Sequence, residues 1–168
     1  MVALIDQLFT IKTSRPPKLI MTLLVKNEEH LLEQNLIFHK EMGVDSFIVT
    51  DNNSTDSTPE IIKKYEEKGW IVESIKETST NYNQKRWVDR MIWLAKRKYR
   101  ANWVINADAD EFWYSPQGDL KHEIVPEANV LRCRVVNMYP EEGVDFWEWS
   151  KAVCPIDNAE DYDLSKYS

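Results

Sequence analysis

Apolar and amphipathic stretches alternate along the chain from residue 19 to residue 106. Short apolar runs predict four strands, at 19–25, 46–50, 70–75 and 103–106. The stretches between them repeat apolar residues three and four positions apart, which predicts three helices. Strands that alternate with helices in this way are typical of right-handed βαβ units. We therefore expect an α/β fold with a mostly parallel central sheet flanked by helices.

The ends of the helices are also marked in the sequence. Asn27 is expected to cap the first helix and Gly43 to stop it. Ser57 and Glu60 match a capping box at the start of the second helix. Beyond the fourth strand the pattern weakens, and only 130–136 predicts a further strand.

Polar clusters follow three of the predicted strands. They occupy residues 26–28, 51–56 and 108–111. The carboxyl ends of parallel strands meet at one edge of a sheet, and ligands of open α/β folds bind beyond that edge. The three clusters therefore predict a binding site there.

Asp108 and Asp110 carry the candidate chemistry of this edge. Two carboxylates at i and i+2 on an extended chain point the same way, roughly 7 Å apart, and a turn can bring them onto one cation. Carboxylate oxygens suit Mg²⁺ or Mn²⁺, which keep positions open for substrate phosphates. The same two residues also fit a solvated acidic loop, and the motif alone leaves both interpretations open.

Composition narrows the class of protein. The chain has 168 residues, the size of one domain. Its net charge is −7 and it has no basic run, so no nucleic acid is expected as a partner. Cys133 and Cys154 are expected to be buried thiols rather than zinc ligands. We find no signal peptide and no apolar run of the ~20 residues that a membrane span needs, so a cytoplasmic setting is expected.

Phosphate-binding glycine loops are missing from the sequence. The four glycines form neither Gly-x-Gly-x-x-Gly nor a P-loop, so a bound phosphate would need a metal and side-chain cations. Lys85 and Arg86 are the candidate cations, although an ordinary solvated helix face explains them as well. The turn at 51–56 fails as a calcium loop, because its glycine and its last glutamate are absent. Asp51 is left as an acceptor for a base or ribose, or as part of a turn.

Four motifs taken together resemble the family 2-like glycosyltransferases of the GT-A fold. They are Val25-Lys26-Asn27-Glu28, the turn Asp51-Asn52-Asn53-Ser54-Thr55-Asp56, Asn83-Gln84-Lys85-Arg86 and Asp108-Ala109-Asp110-Glu111-Phe112. The resemblance implies transfer of a hexosyl or deoxyhexosyl group, with inversion, from a UDP- or GDP-type sugar to a hydroxyl of a glycan or another acceptor. It also implies a Mn²⁺ or Mg²⁺ ion.

The resemblance further implies a role for each matching residue. Asp110 would be the principal metal ligand, and Asp108 would lie near both the metal and the ribose. The remaining contacts to the nucleotide sugar would come from Val25, Lys26, Asn27, Asp51, Asn53, Lys85 and Arg86. The usual Pro-Thr-Tyr-Asn of the first loop is Leu24-Val25-Lys26-Asn27 here. Its contacts are therefore expected from the backbone.

The domain boundaries follow from the same comparison. We expect a single GT-A-like domain over 1–168, composed of an N-terminal arm (1–17), a nucleotide-sugar-binding half (18–114) and a partial acceptor-side half (115–168). The chain is short for this fold, which allows for a longer parent protein. The sequence does not identify a catalytic base. Candidates chosen by position alone are Glu142, Asp145 and Glu148.

Two alternative functions fit the same residues. A metal-dependent nucleotidyltransferase would use a similar sheet and a similar pair of carboxylates. A non-catalytic module that binds a nucleotide sugar or a glycan would explain the lack of a clear base.

Overall fold

The computed structural model describes residues 16–78, 83–125 and 127–131, together with 133, 137–138, 143 and 152–153. Contacts within the chain divide it into two units, Met1–Ile124 and Val125–Ser168. The described elements of the first unit are, in chain order, β1 (Leu19–Val25), α1 (Leu32–Glu41), β2 (Ser46–Asp51), α2 (Thr58–Glu67), β3 (Ile71–Lys76), α3 (Gln84–Arg97), β4 (Trp103–Ala107) and a 3₁₀ helix (Leu120–Glu123).

The four strands of the first unit form one parallel sheet in the order β3-β2-β1-β4. β1 lies in the middle, where Val25 pairs with Asp51 of β2 and Leu23 pairs with Ala107 of β4. Each crossover between strands contains one helix. The predicted α/β fold with a parallel central sheet flanked by helices is confirmed.

β1 is buried on both faces, which explains its continuous apolar sequence. Alternate residues beginning with Leu19 belong to a core cluster that also holds residues of α1 and α2. Ile20 points the other way and packs in a second cluster with Met91 and Ala95 of α3. Each buried large apolar side chain contributes about 1.5–3 kcal/mol, so the two clusters fix the sheet between its helices.

The buried stripe of α1 is not wholly apolar. Leu32, Asn35, Leu36 and His39 are buried at positions i, i+3, i+4 and i+7. A buried polar side chain destabilises the fold unless it is hydrogen-bonded. Asn35 and His39 must therefore have partners on a neighbouring segment.

Two predicted helix caps differ from the structure. Asn27 does not cap α1, which begins at Leu32. Its side chain instead accepts a hydrogen bond from the backbone N–H of Thr55, 2.8 Å away. The capping box at Ser57 was also wrong, because the Ser57 side chain makes no capping hydrogen bond. Asp56 takes that role, accepting from the backbone N–H of Thr58 at 3.0 Å.

The second unit contains a short antiparallel pair, β5 (Asn137–Met138) with β6 (Ala152–Val153). The predicted strand at 130–136 does not appear at Val130, Leu131 or Cys133, and its other residues lie outside the described part. Cys133 is exposed, so its predicted burial was wrong, and Cys154 lies outside the described residues. No helix among the described residues has the length and apolar character that a membrane crossing requires.

The end of α1 gives a test of the packing between α1 and the 3₁₀ helix. Gly43 has a φ of 88°, and an added Cβ would lie 2.1 Å from Oδ1 of Asp119. Gly69 has a φ of 72° but open space at the same position. We expect Gly69→Ala to lower the free energy of unfolding by about 1 kcal/mol, from backbone strain alone. Gly43→Ala should lower it by about 3 kcal/mol, because steric overlap is added to the strain.

Urea unfolding at equilibrium measures both values. In the double variant Gly43→Ala/Asp119→Ala the steric overlap is gone, so part of the lost free energy of unfolding should return. The loss that comes from backbone strain at residue 43 should remain. Equal losses for the two glycine variants would contradict the close approach of Asp119.

Candidate functional site

Three connecting segments meet at the carboxyl edge of the sheet. They are the β1 loop (residues 26–31), the β2 loop (52–57) and the acidic turn (108–111), which follow β1, β2 and β4. Because β1 lies between β2 and β4, these two strands are two strand spacings apart, or about 10 Å. Side chains of all three segments can therefore reach one ligand the size of a nucleotide.

Hydrogen bonds join the β1 loop to the β2 loop. The backbone N–H of Asn27 donates to Oγ of Ser54 at 2.9 Å. The backbone N–H of Glu29 donates to Oδ2 of Asp56 at 3.1 Å, and the Glu29 carboxylate accepts from the N–H of Ser57 at 3.0 Å. The two loops are consequently one hydrogen-bonded layer, and the polar side chains within it are largely occupied in holding it together.

The acidic turn exposes its carboxylates, while the alanines on either side of Asp108 are buried. Ala107 and Ala109 are 1% and 3% exposed, whereas the alternate residues Asp108 and Asp110 are exposed. The backbone N–H of Glu111 donates to the carbonyl of Asp108 at 3.1 Å and closes the turn. The buried alanines thus anchor the segment while both aspartates face solvent.

Glu28 is brought close to the acidic turn. Burial raises the pKa of its carboxyl, and the nearby charges of Asp110, Asp56 and Asp108 raise it further. Acids from all three segments therefore share one electrostatic field. The sequence placed Glu28 in a motif but gave it no role; its position directly after β1 was the available signal.

The donor atoms of this cluster fit a hard divalent cation. Mg²⁺ is commonly held by one or two carboxylates, with water and substrate phosphates completing its coordination. Asp108 and Asp110 supply two such groups. Within the part of the chain that the structure describes, no three or more His, Cys, Asp or Glu side chains are arranged to enclose a metal ion by themselves.

Asp51 lies at the end of β2 with its side chain directed inward. It is 5% exposed, and its Oδ1 accepts from the backbone N–H of Ser54 at 2.9 Å. It also lines a small cleft of about 150 Å³ between α2 and β3. Asn53, in the same loop, is exposed and has a φ of 57°.

Lys85 and Arg86 occupy the first turn of α3 and are exposed. α3 connects the carboxyl end of β3 to the amino end of β4, so its first turn lies at the same edge of the sheet as the acidic turn. Asn83 caps the helix by accepting from the backbone N–H of Arg86 at 3.2 Å. Lys85 forms an ion pair with Asp89 one turn along the helix.

Lys26 and Asn27 are exposed in the β1 loop, while the Val25 side chain is 1% exposed. The carbonyl of Val25 accepts from the backbone N–H of Asn52 at 2.8 Å, so Val25 is engaged in the sheet edge itself. The candidate catalytic bases Glu142, Asp145 and Glu148 lie outside the described residues.

Two buried side chains of α1 hold the segment that carries the acidic turn. Nδ2 of Asn35 donates to the carbonyls of Ala109 and Glu111, at 3.0 and 2.9 Å. Nε2 of His39 accepts a hydrogen bond from the backbone N–H of Trp113 at 2.8 Å. The sequence showed both residues on the α1 stripe but not these contacts. Polar residues at buried helical positions were the signal.

The family comparison adds an independent observation. The model of glycosyltransferase family 92 matches residues 22–129, well over half of the chain. The chain belongs to glycosyltransferase family 92. The predicted membership of a glycosyltransferase family is thereby confirmed, while the family 2-like assignment is not. The matched range covers all three segments at the sheet edge and ends before the three candidate bases.

Two known proteins show more distant similarity to this family 92 chain. A glycosyltransferase family 92 protein of Arabidopsis thaliana is 27% identical over 124 residues, which cover 66% of this chain and 18% of the relative. The chain thus spans about a fifth of the length of that relative. A mannosyltransferase of Pyrobaculum calidifontis, solved with GDP-mannose and Mn²⁺, is 22% identical with a TM-score of 0.47, over 61% of this chain and 30% of the other.

The burial of His39 makes the stability of this family 92 chain depend on pH. Burial lowers the pKa of His39 from 6.5 to about 4, outweighing the opposing effect of its hydrogen bond to the Asn35 backbone. Between these values the unfolded chain binds a proton that the native chain does not bind. Native stability is therefore lost as the pH falls from about 6.5 to about 4, by about 3 kcal/mol in total.

A variant without the ionisable group isolates this effect. His39→Gln retains an acceptor for the N–H of Trp113 and cannot titrate. We expect the stability of the wild type relative to His39→Gln to fall by about 3 kcal/mol between pH 7 and pH 4, measured by urea unfolding. A difference that stays constant with pH would show that His39 is not buried as a neutral group.

Proposed function

We propose that this family 92 chain transfers a hexosyl or deoxyhexosyl group from a UDP- or GDP-type sugar to a hydroxyl of a glycan or another acceptor, with inversion. Membership of the family supports sugar transfer. The observation that carries the site is the position of the β1 loop and the acidic turn after neighbouring parallel strands, at the carboxyl edge of the sheet, where the charges of Asp110 and Asp108 help to raise the pKa of Glu28. This edge is where α/β folds bind ligands.

The electrostatics of the edge favour a divalent cation in this mechanism. The chain has a net charge of −7, and the acids around Glu28 repel one another and any diphosphate that approaches them. We assign Asp110 as the principal ligand of Mn²⁺ or Mg²⁺ and Asp108 as the second. Bound there, the ion would neutralise the charge that develops on the departing nucleoside diphosphate.

Other residues at the edge are proposed to hold the nucleotide. Lys85 and Arg86, in the exposed first turn of α3, would attract the diphosphate oxygens. The backbone from Val25 to Asn27, together with Asp51 and Asn53, would contact the ribose and base. Because the backbone N–H of Asn27 donates to Ser54 and its Oδ1 accepts from Thr55, its contribution would come from its backbone carbonyl or its side-chain Nδ2.

The transfer also needs a base for the acceptor. As the acceptor oxygen forms its bond to the anomeric carbon, the bond from that carbon to the diphosphate oxygen breaks, and the acceptor hydroxyl loses its proton to a carboxylate. We propose that this carboxylate comes from the acceptor side, 115–168, in a GT-A-type arrangement. Glu142, Asp145 and Glu148 are the candidates.

A screen by thermal unfolding would identify the donor. Nucleoside diphosphates and their sugars are added to the chain with and without Mn²⁺. A ligand at a hundred times its Kd stabilises the native state by about 2.7 kcal/mol, which corresponds to a rise in Tm of roughly 5–10 °C for a chain of this size. We expect such a rise only for nucleotides that carry one particular nucleobase, and only when Mn²⁺ is present. Equal shifts with and without Mn²⁺ would contradict the metal assignment.

Substitution of Asp110 would test the site itself. Asp110→Asn keeps the size of the side chain and removes its charge, so the Mn²⁺-dependent shift in Tm with that donor should disappear. Glu67→Gln is the matched control, because it removes one exposed charge at the last residue of α2, on the opposite edge of the sheet. Donor binding that survives in Asp110→Asn would overturn the assignment.

The products would separate this function from its alternatives. A glycosyltransferase releases the nucleoside diphosphate from a nucleotide sugar in the presence of an acceptor. A nucleotidyltransferase would instead release pyrophosphate from a nucleoside triphosphate. Donor binding without either product would indicate a non-catalytic binding module.

A further inference from the structure

We propose that Asn35 and His39 are positioning residues, which set the geometry of Asp108 and Asp110 from inside the fold. This inference rests on the proposed function, in which the two aspartates hold the metal ion. Neither α1 residue can touch a ligand, since both are 0% exposed. They would act through the backbone of the segment from Ala109 to Trp113.

The contacts bracket Asp110 on both sides. Both hydrogens of the Asn35 amide are used, one on the carbonyl of Ala109 and one on the carbonyl of Glu111, at 3.0 and 2.9 Å. These carbonyls belong to the residues immediately before and after Asp110. With both held to one rigid helix, the backbone at Asp110 has little freedom to rotate. The direction in which the Asp110 side chain leaves the backbone is set as a result.

The orientation of each polar group follows from its neighbours. Two carbonyls face Nδ2 of Asn35, so the amide nitrogen rather than its oxygen must lie there. The N–H of Trp113 donates to Nε2 of His39, so the histidine proton resides on Nδ1. Nδ1 lies 2.9 Å from the carbonyl oxygen and 3.0 Å from Oδ1 of Asn35, and it donates to this pair. Each N–H of Asn35, His39 and Trp113 in these contacts therefore faces an acceptor, and no two donors or two acceptors are opposed.

Aromatic packing supports the same segment. The ring of Phe112 stacks on His39, with 5.9 Å between centroids and 14° between planes. It also meets Phe38 edge to face at 5.3 Å. The two rings of α1 thus hold the side chain of Phe112, while Asn35 and His39 hold the backbone on either side of it.

Mn²⁺ binding to the whole chain, measured by electron paramagnetic resonance of free Mn²⁺, tests the inference. Hydrogen-bonding partners outside the ligand set typically change metal affinity by 10–100-fold. We expect Asn35→Leu to weaken Mn²⁺ binding about tenfold, because both carbonyls lose their donor. His39→Phe should weaken binding severalfold. His39→Gln should restore it, because Gln presents an acceptor to the N–H of Trp113.

The control is Met91→Ala, which makes a cavity in the second core cluster, away from α1. It should lower Tm and leave Mn²⁺ affinity unchanged. All variants are measured at a temperature at which circular dichroism shows them folded. If Asn35→Leu does not fold, the comparison of His39→Phe with His39→Gln decides the question, since a merely structural role would not make affinity follow the acceptor.

The outcomes separate this inference from the function on which it rests. If the wild type and Asp110→Asn bind Mn²⁺ equally, the metal assignment is wrong and the inference falls with it. If Asp110→Asn loses binding but Asn35→Leu, His39→Phe and His39→Gln all bind like the wild type, only the positioning role is wrong. If affinity falls in Asn35→Leu and His39→Phe and is retained in His39→Gln and Met91→Ala, the positioning role is established.

Discussion

Burial of β1 on both faces is the constraint on which the rest of this structure depends. A strand with apolar side chains on both sides needs helices on both sides, and α1, α2 and α3 supply them. The strands beside it must then run parallel, because each crossover passes over a face of the sheet. Their carboxyl ends consequently meet at one edge, and the loops that follow β1, β2 and β4 become neighbours although they are far apart in sequence.

The site at this edge combines a rigid frame with exposed charge. The first two loops use their polar side chains mainly on each other, as with Asn27 and Thr55 or Glu29 and Ser57. The acidic turn instead leaves Asp108 and Asp110 exposed and has its backbone held from beneath by Asn35. Side chains that repel one another, such as those around Glu28, are kept together by contacts of the backbone.

The sequence predicted the parts of the structure that depend on local pattern. The limits of β1 agree with its apolar run, and Asp108 and Asp110 do follow a strand, although β4 is only partly buried and not the buried strand that was predicted. The cap predicted at Asn27 failed because its side chain binds Thr55 of the β2 loop, and a local pattern cannot show a partner 28 residues away. The cap predicted at Ser57 failed within the loop itself, where Asp56 accepts from the N–H of Thr58 instead. The role of α1 was hidden for the same reason, since Asn35 acts on carbonyls 74 and 76 residues further along.

Asn35, in the first turn of α1, and Met42, just after its last residue, are attached to two places on one later stretch of chain. Asn35 holds Ala109, and the carbonyl of Met42 accepts from the N–H of Leu120 at 2.9 Å. Inserting or deleting a residue between Asn35 and Met42 would rotate one attachment by about 100° relative to the other. The exposed turn at 116–118 has no such restriction. Homologous chains should therefore vary in length at that turn while keeping the spacing within α1 unchanged.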